Sequence, residues 1–214
     1  MSFTNHFGVN FGKAYKYHAL PRTRSLEEAA SCVRSTLQHL SWAAVEAAAR
    51  MGHAPASFNE LLALGYCQDQ SIGFHDDGEQ GLGPTIATLS LGAPALMQLR
   101  MKARHYAGVT RAGMLSNAPP LPGCREQDAR QHAWDAGQIS SAACTRKAGH
   151  DLARRLGLSY HASPPSVLDL ELSHGDVVIM HGRELQLFYE HAVWPQRGLR
   201  FALTCRWVEE EHGT

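Results

Sequence analysis

Apolar positions change their spacing near residue 58, from a helical repeat to short runs of strand length. Upstream, apolar side chains recur every three or four residues, which predicts one helix opened by a capping box at Ser25–Glu28 and a second over about 42–51. Downstream, Gly, Pro and Asp separate the apolar runs, which indicates strands. The predicted strands are Leu61–Cys67, Thr85–Leu91, Ala95–Lys102, 168–172, Val177–Met180, Leu185–Val193 and Leu199–Trp207.

Many short strands with helices before and between them predict a mainly β fold with flanking helices, a β-sandwich or jelly roll. Residues 106–146 show no sustained period, a helix is predicted near 147–156, and Asn117–Gly123 reads as a surface excursion because strand texture resumes after it. We therefore expect one domain over 1–214, with outer helices in 1–56 and a core in 57–207 interrupted at about 106–165.

Composition and charge exclude several classes of protein. The chain is 44% hydrophobic and 19% charged, and it contains no apolar run of the roughly 20 residues that a membrane span needs. Its five cysteines are widely spaced without a CxxC pair, so neither a zinc ribbon nor a disulfide framework is indicated. With no secretion signal visible, an intracellular protein, nuclear or cytoplasmic, is expected. Twenty basic and twenty acidic residues argue against a strongly basic duplex binder but leave room for a local nucleotide groove.

His75 and Asp77 form a His-x-Asp pair, and His191 lies far downstream in an apolar segment. Residues i and i+2 of a strand point to the same side, so His75 and Asp77 can face one cavity. Two imidazoles and a carboxylate form the facial triad of non-haem Fe(II) oxygenases, which leaves positions open for a cosubstrate and O2. Two alternatives stay open: an ordinary turn at His75 with a core histidine at 191, or His181 as the third ligand.

The last predicted strand carries two arginines on one face. Arg200, Ala202, Thr204 and Arg206 share strand parity. Buried guanidinium groups need anionic partners, and arginine suits bidentate carboxylate binding, so a dicarboxylate such as 2-oxoglutarate would satisfy both. The alternative is an edge strand whose arginines pair with surface acids.

Several segments resemble the AlkB-type dioxygenases, most closely their fungal members, and they occur in the order of that family. The segments are Phe58–Tyr66, His75–Glu79, Gly83–Gly92, Gly175–Met180, Phe188–Pro195 and the Arg200–Arg206 strand, which together cover roughly residues 58–104 and 166–207. The resemblance implies a double-stranded β-helix, a cupin-like jelly roll, with Fe(II) held by His75, Asp77 and His191.

The resemblance also implies 2-oxoglutarate as the cosubstrate used with O2. Its far carboxylate would bind Arg200 with help from the Tyr66 hydroxyl, and its chelating carboxylate would lie near Arg206; Thr204 is a further candidate on this face. In the family, 2-oxoglutarate becomes succinate and CO2 while an N-methyl group on a nucleobase of DNA or RNA is oxidised and leaves as formaldehyde.

The substrate side is implied residue by residue. A segment around Tyr15 and Tyr17 resembles the family's substrate lid, whose aromatics stack on a flipped base. Glu79 matches an acidic position that contacts the base, and Arg100 belongs to a basic stripe that could follow phosphates. Ordinary packing or solvation is the alternative for each of the four residues. We expect a monomer that binds a methylated single-stranded or flipped-out base.

Two positions depart from the family: Leu64 and Ala202 stand where asparagines are common in the cosubstrate region. We expect activity to be retained with altered 2-oxoglutarate affinity. The alternatives to a nucleobase demethylase are an oxygenase acting on a protein, lipid or small molecule, and an inactive binding module.

Overall fold

The computed structural model describes residues 7–13, 23–54, 57–67 and 70–209. The strands in these ranges are β1 (Phe7–Gly12), β2 (Thr23–Arg24), β3 (Glu60–Cys67), β4 (Ile72–His75), β5 (Leu82–Gly92), β6 (Ala95–Met101), β7 (Ser166–Leu172), β8 (Val177–His181), β9 (Tyr189–Pro195) and β10 (Leu199–Val208). The helices are α1 (Ser31–Met51), α2 (Ala103–Ala107), α3 (Gln127–Asp135), α4 (Gln138–Ala143), α5 (Arg146–Arg155) and α6 (Arg183–Phe188).

The strands form two sheets. The larger has the order β2-β1-β3-β10-β5-β8, and the smaller has the order β4-β9-β6-β7. Strands β1 and β2 are parallel. In contrast, β10 lies antiparallel between β3 and β5, and β4 lies antiparallel to β9. This is the double-stranded β-helix with flanking helices, and the predicted fold class is confirmed.

Alternation along β10 separates the two faces of the larger sheet. On the outer face, Cys205 belongs to an apolar cluster with Leu40 and Ala44 of helix α1. On the inner face, Ile86 and Met180 pack with Met97 and Leu172 of the smaller sheet. Side chains of β10 that alternate with Cys205 lie on the inner face. Both arginines of β10 belong to this set, so they point between the sheets.

Helix α1 replaces the two predicted helices. The Ser25 hydroxyl accepts a hydrogen bond from the Glu27 backbone N–H at 3.1 Å, so it stabilises a local turn and no capping box forms there. The helix begins at Ser31 after Ala30, which provides no side-chain cap, and continues to Met51. Its predicted end is confirmed: Gly52 adopts φ 70°, the left-handed conformation that closes helices.

The predicted strand Leu185–Val193 is correct only in its second half, because helix α6 runs through Phe188 before β9 begins. Leu185 and Leu187 alternate as in a strand, yet Leu187 is 50% exposed while Gln186 is buried. The helix therefore turns Gln186 inward, where its amide contacts the metal-site loop described below.

The chain divides into two compact units. The first comprises 1–98, 169–187 and 191–214, and the second comprises 99–168 and 188–190. The second has its own apolar cluster of Ala133, Ile139, Ala142 and Leu152. Its helices α2, α3 and α4 are short, which explains why residues 106–146 show no sustained apolar period in the sequence. No helix among the described residues is long and apolar enough to cross a membrane.

Candidate metal centre and anion site

The metal candidates converge on the edge of the smaller sheet. His75 ends β4, Asp77 follows two residues later, and His191 is the direct partner of His75 on the neighbouring strand β9. One ligand atom from each residue lies within 4.8 Å of the others. The two imidazole rings are 4.3 Å apart between centroids. The three residues predicted as ligands are thus brought together.

Hydrogen bonds outside the triad orient its ligand atoms. His75 Nδ1 lies 2.8 Å from the Gly73 carbonyl, so this nitrogen donates and Nε2 is left for a metal. The two oxygens of Asp77 are 3.9 Å from His75 Nε2 and 3.7 Å from His191 Nε2, which is too long for hydrogen bonds. The Asp77 backbone N–H donates to Gln186 Oε1 at 2.9 Å and fixes the loop.

Burial prepares His191 as a ligand. The residue is 7% exposed, and desolvation, helped by the nearby His75, lowers the pKa of His191 to about 4. Its imidazole is therefore neutral at physiological pH, which is the form that binds metal. Two imidazoles and one hard carboxylate oxygen, with the remaining positions open, are the donor set that suits Fe(II).

A second feature, a candidate anion site, lies on the inner face of β10 at Arg200. The residue is 1% exposed, and its Nη2 donates to the Ser90 hydroxyl at 3.1 Å. Its Nε and Nη1 are buried and have no hydrogen-bond partner among the residues that the structure describes. Burial lowers the pKa of this guanidinium, and the neighbouring Tyr66 opposes that shift. A buried cation with two unused donors fits an anionic ligand such as a carboxylate.

Tyr66 is the β3 neighbour of Arg200 and is 2% exposed. Burial raises the pKa of its phenol well above the ordinary value, the Arg200 charge opposes this and the Asp77 charge adds to it. The hydroxyl is therefore protonated at neutral pH. Tyr66 is therefore coupled electrostatically both to Arg200 of the candidate anion site and to Asp77 of the candidate metal site.

Arg206, at the other end of the same face, has a carboxylate partner within the chain. Its Nε and Nη2 donate to the two oxygens of Glu60 at 2.8 and 2.5 Å. The two residues are register neighbours on β10 and β3 and are 2% and 0% exposed. Burial raises the pKa of Glu60, the Arg206 contact opposes this, and the Asp77 charge adds to the rise.

Between the two arginines the face is largely apolar. Leu64 and Ala202, which depart from the family pattern, are register neighbours and pack in one cluster with Leu62 and Tyr66. The Thr204 hydroxyl lies 3.0 Å from that of Thr88 on β5. The candidate role of Thr204 toward a cofactor stays a prediction.

The four substrate candidates are less closely connected. Tyr15 and Tyr17 lie outside the described residues. Glu79 is exposed in the loop that follows the first two metal ligands. Arg100 Nε lies 2.7 Å from Glu190 Oε1, so this guanidinium contacts a carboxylate of its own chain. The rival ligand His181 contacts the Thr85 hydroxyl at 2.7 Å and is not in the triad.

Sequence reasoning missed three residues of these sites: Glu60, Ser90 and Gln186. Glu60 had a signal, because it is an acid in an apolar strand with the parity of Tyr66. Ser90 had a weaker signal as a small polar residue in an apolar run. Gln186 had none once its segment was interpreted as a strand.

Comparison with known proteins assigns the chain to a family. The family model described as the 2OG-Fe(II) oxygenase superfamily matches residues 6–206. The chain therefore belongs to the 2OG-Fe(II) oxygenase superfamily, and it is an oxidoreductase whose predicted use of Fe(II) and 2-oxoglutarate is confirmed at that level.

Individual proteins give less detail. Solved structures similar to the chain include that of OsALKBH1, with 16% identity over 86% of this chain and 67% of that chain and a TM-score of 0.40. No match was found among curated proteins.

Proposed function

We propose that this oxygenase is an AlkB-like enzyme that removes N-methyl groups from nucleobases in DNA or RNA, releasing formaldehyde and succinate. The Fe(II)/2-oxoglutarate class is given by the family match and the His-Asp-His triad. The observation that carries the nucleic-acid substrate is the uneven distribution of charge between the two units.

The charge of the chain sums to zero, but its two units differ. Within 99–168 and 188–190 there are ten Lys and Arg and five Asp and Glu, whereas the other unit has ten and fifteen. Helix α5 alone exposes Arg146, Lys147, Arg154 and Arg155. A basic unit of this kind favours a polyanionic partner such as a nucleotide strand.

The residues of the first unit account for cofactor binding. His75, Asp77 and His191 would hold Fe(II), with His191 neutral because it is buried. Arg200 and Tyr66 would hold the far carboxylate of 2-oxoglutarate, so that its oxo-acid end is directed toward the metal. Bound together with O2, these cofactors supply the oxidation that turns an N-methyl group into formaldehyde as 2-oxoglutarate becomes succinate and CO2.

Substrate binding requires a base that has left any duplex stack. Glu79 is exposed two residues beyond Asp77, where its carboxylate could accept a hydrogen bond from an exocyclic amine. Tyr15 and Tyr17 are proposed to stack on the base, as the family resemblance implies. Arg100 is proposed to lie near the phosphates of the nucleotide strand.

The test is mass spectrometry of N-methylated single-stranded DNA and RNA oligonucleotides. The protein is loaded anaerobically with Fe(II) and 2-oxoglutarate, and air is then admitted. We expect a mass decrease of one methylene with one succinate per event, and none with Asp77→Ala, which removes a metal ligand. Succinate formation without any change in an oligonucleotide would contradict a nucleobase substrate.

A charge variant tests the partner separately. Arg146→Gln with Lys147→Gln should reduce the slope of log affinity against log salt by about 1.4 for a single strand, because two phosphate contacts are lost. The matched control is Arg24→Gln, an exposed cation in the other unit, which should leave the slope unchanged. An unchanged slope in the double variant would exclude α5 as a phosphate-binding surface.

The excess of acidic residues in the unit with the metal site favours a second candidate, an oxygenase acting on a protein or small molecule. This candidate predicts succinate formation that is stimulated by cationic peptides or metabolites and not by oligonucleotides.

A further inference from the structure

The Glu60–Arg206 ion pair is the least expected feature of the inner face of β10. Both oxygens of Glu60 are used by the Nε and Nη2 donors of Arg206, at 2.8 and 2.5 Å. Such a fork is the arrangement by which arginine binds a ligand carboxylate. Here the carboxylate comes from β3 of the same chain.

The contrast with Arg200 shows what this pair does. Among the described residues, Nε and Nη1 of Arg200 are buried without partners, whereas Nε and Nη2 of Arg206 both donate to Glu60. A carboxylate that approached the Nε and Nη2 edge of Arg206 would have to displace Glu60, whose negative charge would then stay buried and unpaired near that of Asp77.

Two of the three β10 and β3 positions nearest Arg200 support this interpretation; Thr204, next to Arg206, has its hydroxyl 3.0 Å from that of Thr88. Leu64 and Ala202 face each other across β3 and β10 and contribute only apolar surface. Neither side chain can hydrogen-bond a cosubstrate or relay a contact to Arg206.

We propose that Glu60 is a positioning residue that holds Arg206 away from the cosubstrate, so that the guanidinium of Arg200 selects the 2-oxo acid. The site then discriminates between 2-oxo acids by the far carboxylate, and the metal would hold the oxo-acid end without an arginine. The proposal rests on the proposed role of Arg200 toward 2-oxoglutarate, and it is independent of the methylated substrate.

The test compares two 2-oxo acids that differ in the far carboxylate. Fe(II)-loaded protein is titrated anaerobically with 2-oxoglutarate and with pyruvate, and binding is followed through the visible charge-transfer absorption of the chelated 2-oxo acid. Arg200→Met should weaken 2-oxoglutarate about 100-fold and change pyruvate less than about twofold. No nucleic acid is present, so a failure of demethylation cannot be mistaken for a failure here.

Glu60→Gln removes the negative charge and one of the two acceptors that hold Arg206. Both 2-oxo acids should then bind about tenfold tighter, by the same factor, because each carries a carboxylate next to its oxo group. The control is Glu46→Gln, which removes an exposed negative charge on helix α1 and should change neither affinity. Unchanged or weaker binding in Glu60→Gln would overturn the proposal, as would an effect confined to 2-oxoglutarate.

A paired replacement covers the case in which Glu60→Gln fails to fold. Glu60→Leu with Arg206→Met removes the ion pair as a unit, which cores often tolerate. If Glu60 keeps Arg206 from the cosubstrate, this variant binds 2-oxoglutarate within about threefold of the parent protein. A loss of about tenfold or more would show that Arg206 binds the cosubstrate and would overturn the proposal.

Discussion

The two ends of the inner face of β10 carry the same side chain in opposite electrostatic situations. Arg200 and Arg206 are both almost fully buried, at 1% and 2% exposure. Arg200 has donors without partners in the described part of the chain, and Arg206 makes a bidentate pair with Glu60. Burial alone therefore does not define the role of a buried arginine. Its partner does: a missing partner indicates a ligand site, and a partner within the chain indicates a structural contact.

This difference predicts that removing each arginine changes the free energy of unfolding differently, and the largest change is expected for Arg206. Arg206→Ala leaves Glu60 buried without its cation, so the free energy of unfolding of the cofactor-free protein should fall by about 3–5 kcal/mol. Urea denaturation measures this. Arg200→Met, which removes a buried cation lacking a full set of partners, should leave the cofactor-free protein as stable or make it more stable. Equal losses in the two variants would remove the distinction between the two ends.

The next effect is stabilisation by ligand. With Mn(II) as an inert metal and 2-oxoglutarate at about 100 times its dissociation constant, the parent protein should gain about 2.7 kcal/mol over the metal-loaded form. Arg200→Met should lose most of this gain, because the far carboxylate then lacks its cation. Thermal or urea unfolding with and without 2-oxoglutarate measures it, and a full gain in the variant would place the anion site elsewhere.

A smaller effect is expected from the hydroxyl beside Arg200. Tyr66→Phe should weaken 2-oxoglutarate binding by about 1–1.5 kcal/mol, the value of one hydrogen bond. Burial raises the pKa of Tyr66, so the folded phenol stays protonated as pH rises through the ordinary value near 10. The affinity ratio of parent to variant should thus stay constant between pH 7 and pH 9.5. A ratio that falls toward one over this range would mean that the phenol ionises there.

The smallest effect concerns Ser90, the hydrogen-bond acceptor of Arg200. Ser90→Ala leaves a third donor of that guanidinium without a partner, which should cost the cofactor-free protein about 1 kcal/mol. The double variant Ser90→Ala/Arg200→Met should recover this loss, because the orphaned donor is gone. Additive losses in the double variant would show that Ser90 acts through another contact.

Strand parity was enough to predict that Arg200 and Arg206 share a face, and the His-x-Asp spacing with a distant histidine predicted the triad. Neither pattern could reveal that Arg206 is already paired, because Glu60 lies far along the chain and meets it only through the register of β3 and β10. Sequence patterns report which way a side chain points. Partners at long range depend on the register of the strands.

Local errors had a similar origin. In the Ser25–Glu28 motif the Ser25 hydroxyl accepts a hydrogen bond from the Glu27 backbone N–H, so the same residues fit a turn that precedes the helix in the chain. Leu185 and Leu187 alternate as they would in a strand, but packing of Gln186 against the Asp77 loop accompanies a helical turn there. In both places a short motif is compatible with two backbone conformations, and tertiary contacts decide between them.

The position of the metal site has a consequence for solubility. Strand β4 has four residues, forms the edge of its sheet and has an irregular register with β9 between Ile72 and His75. A metal bound to His75 and His191 would clasp this weak edge to its neighbour at the point where the pairing ends. Loss of iron would then loosen β4 and uncover the backbone edge of β9, a surface that recruits other strands.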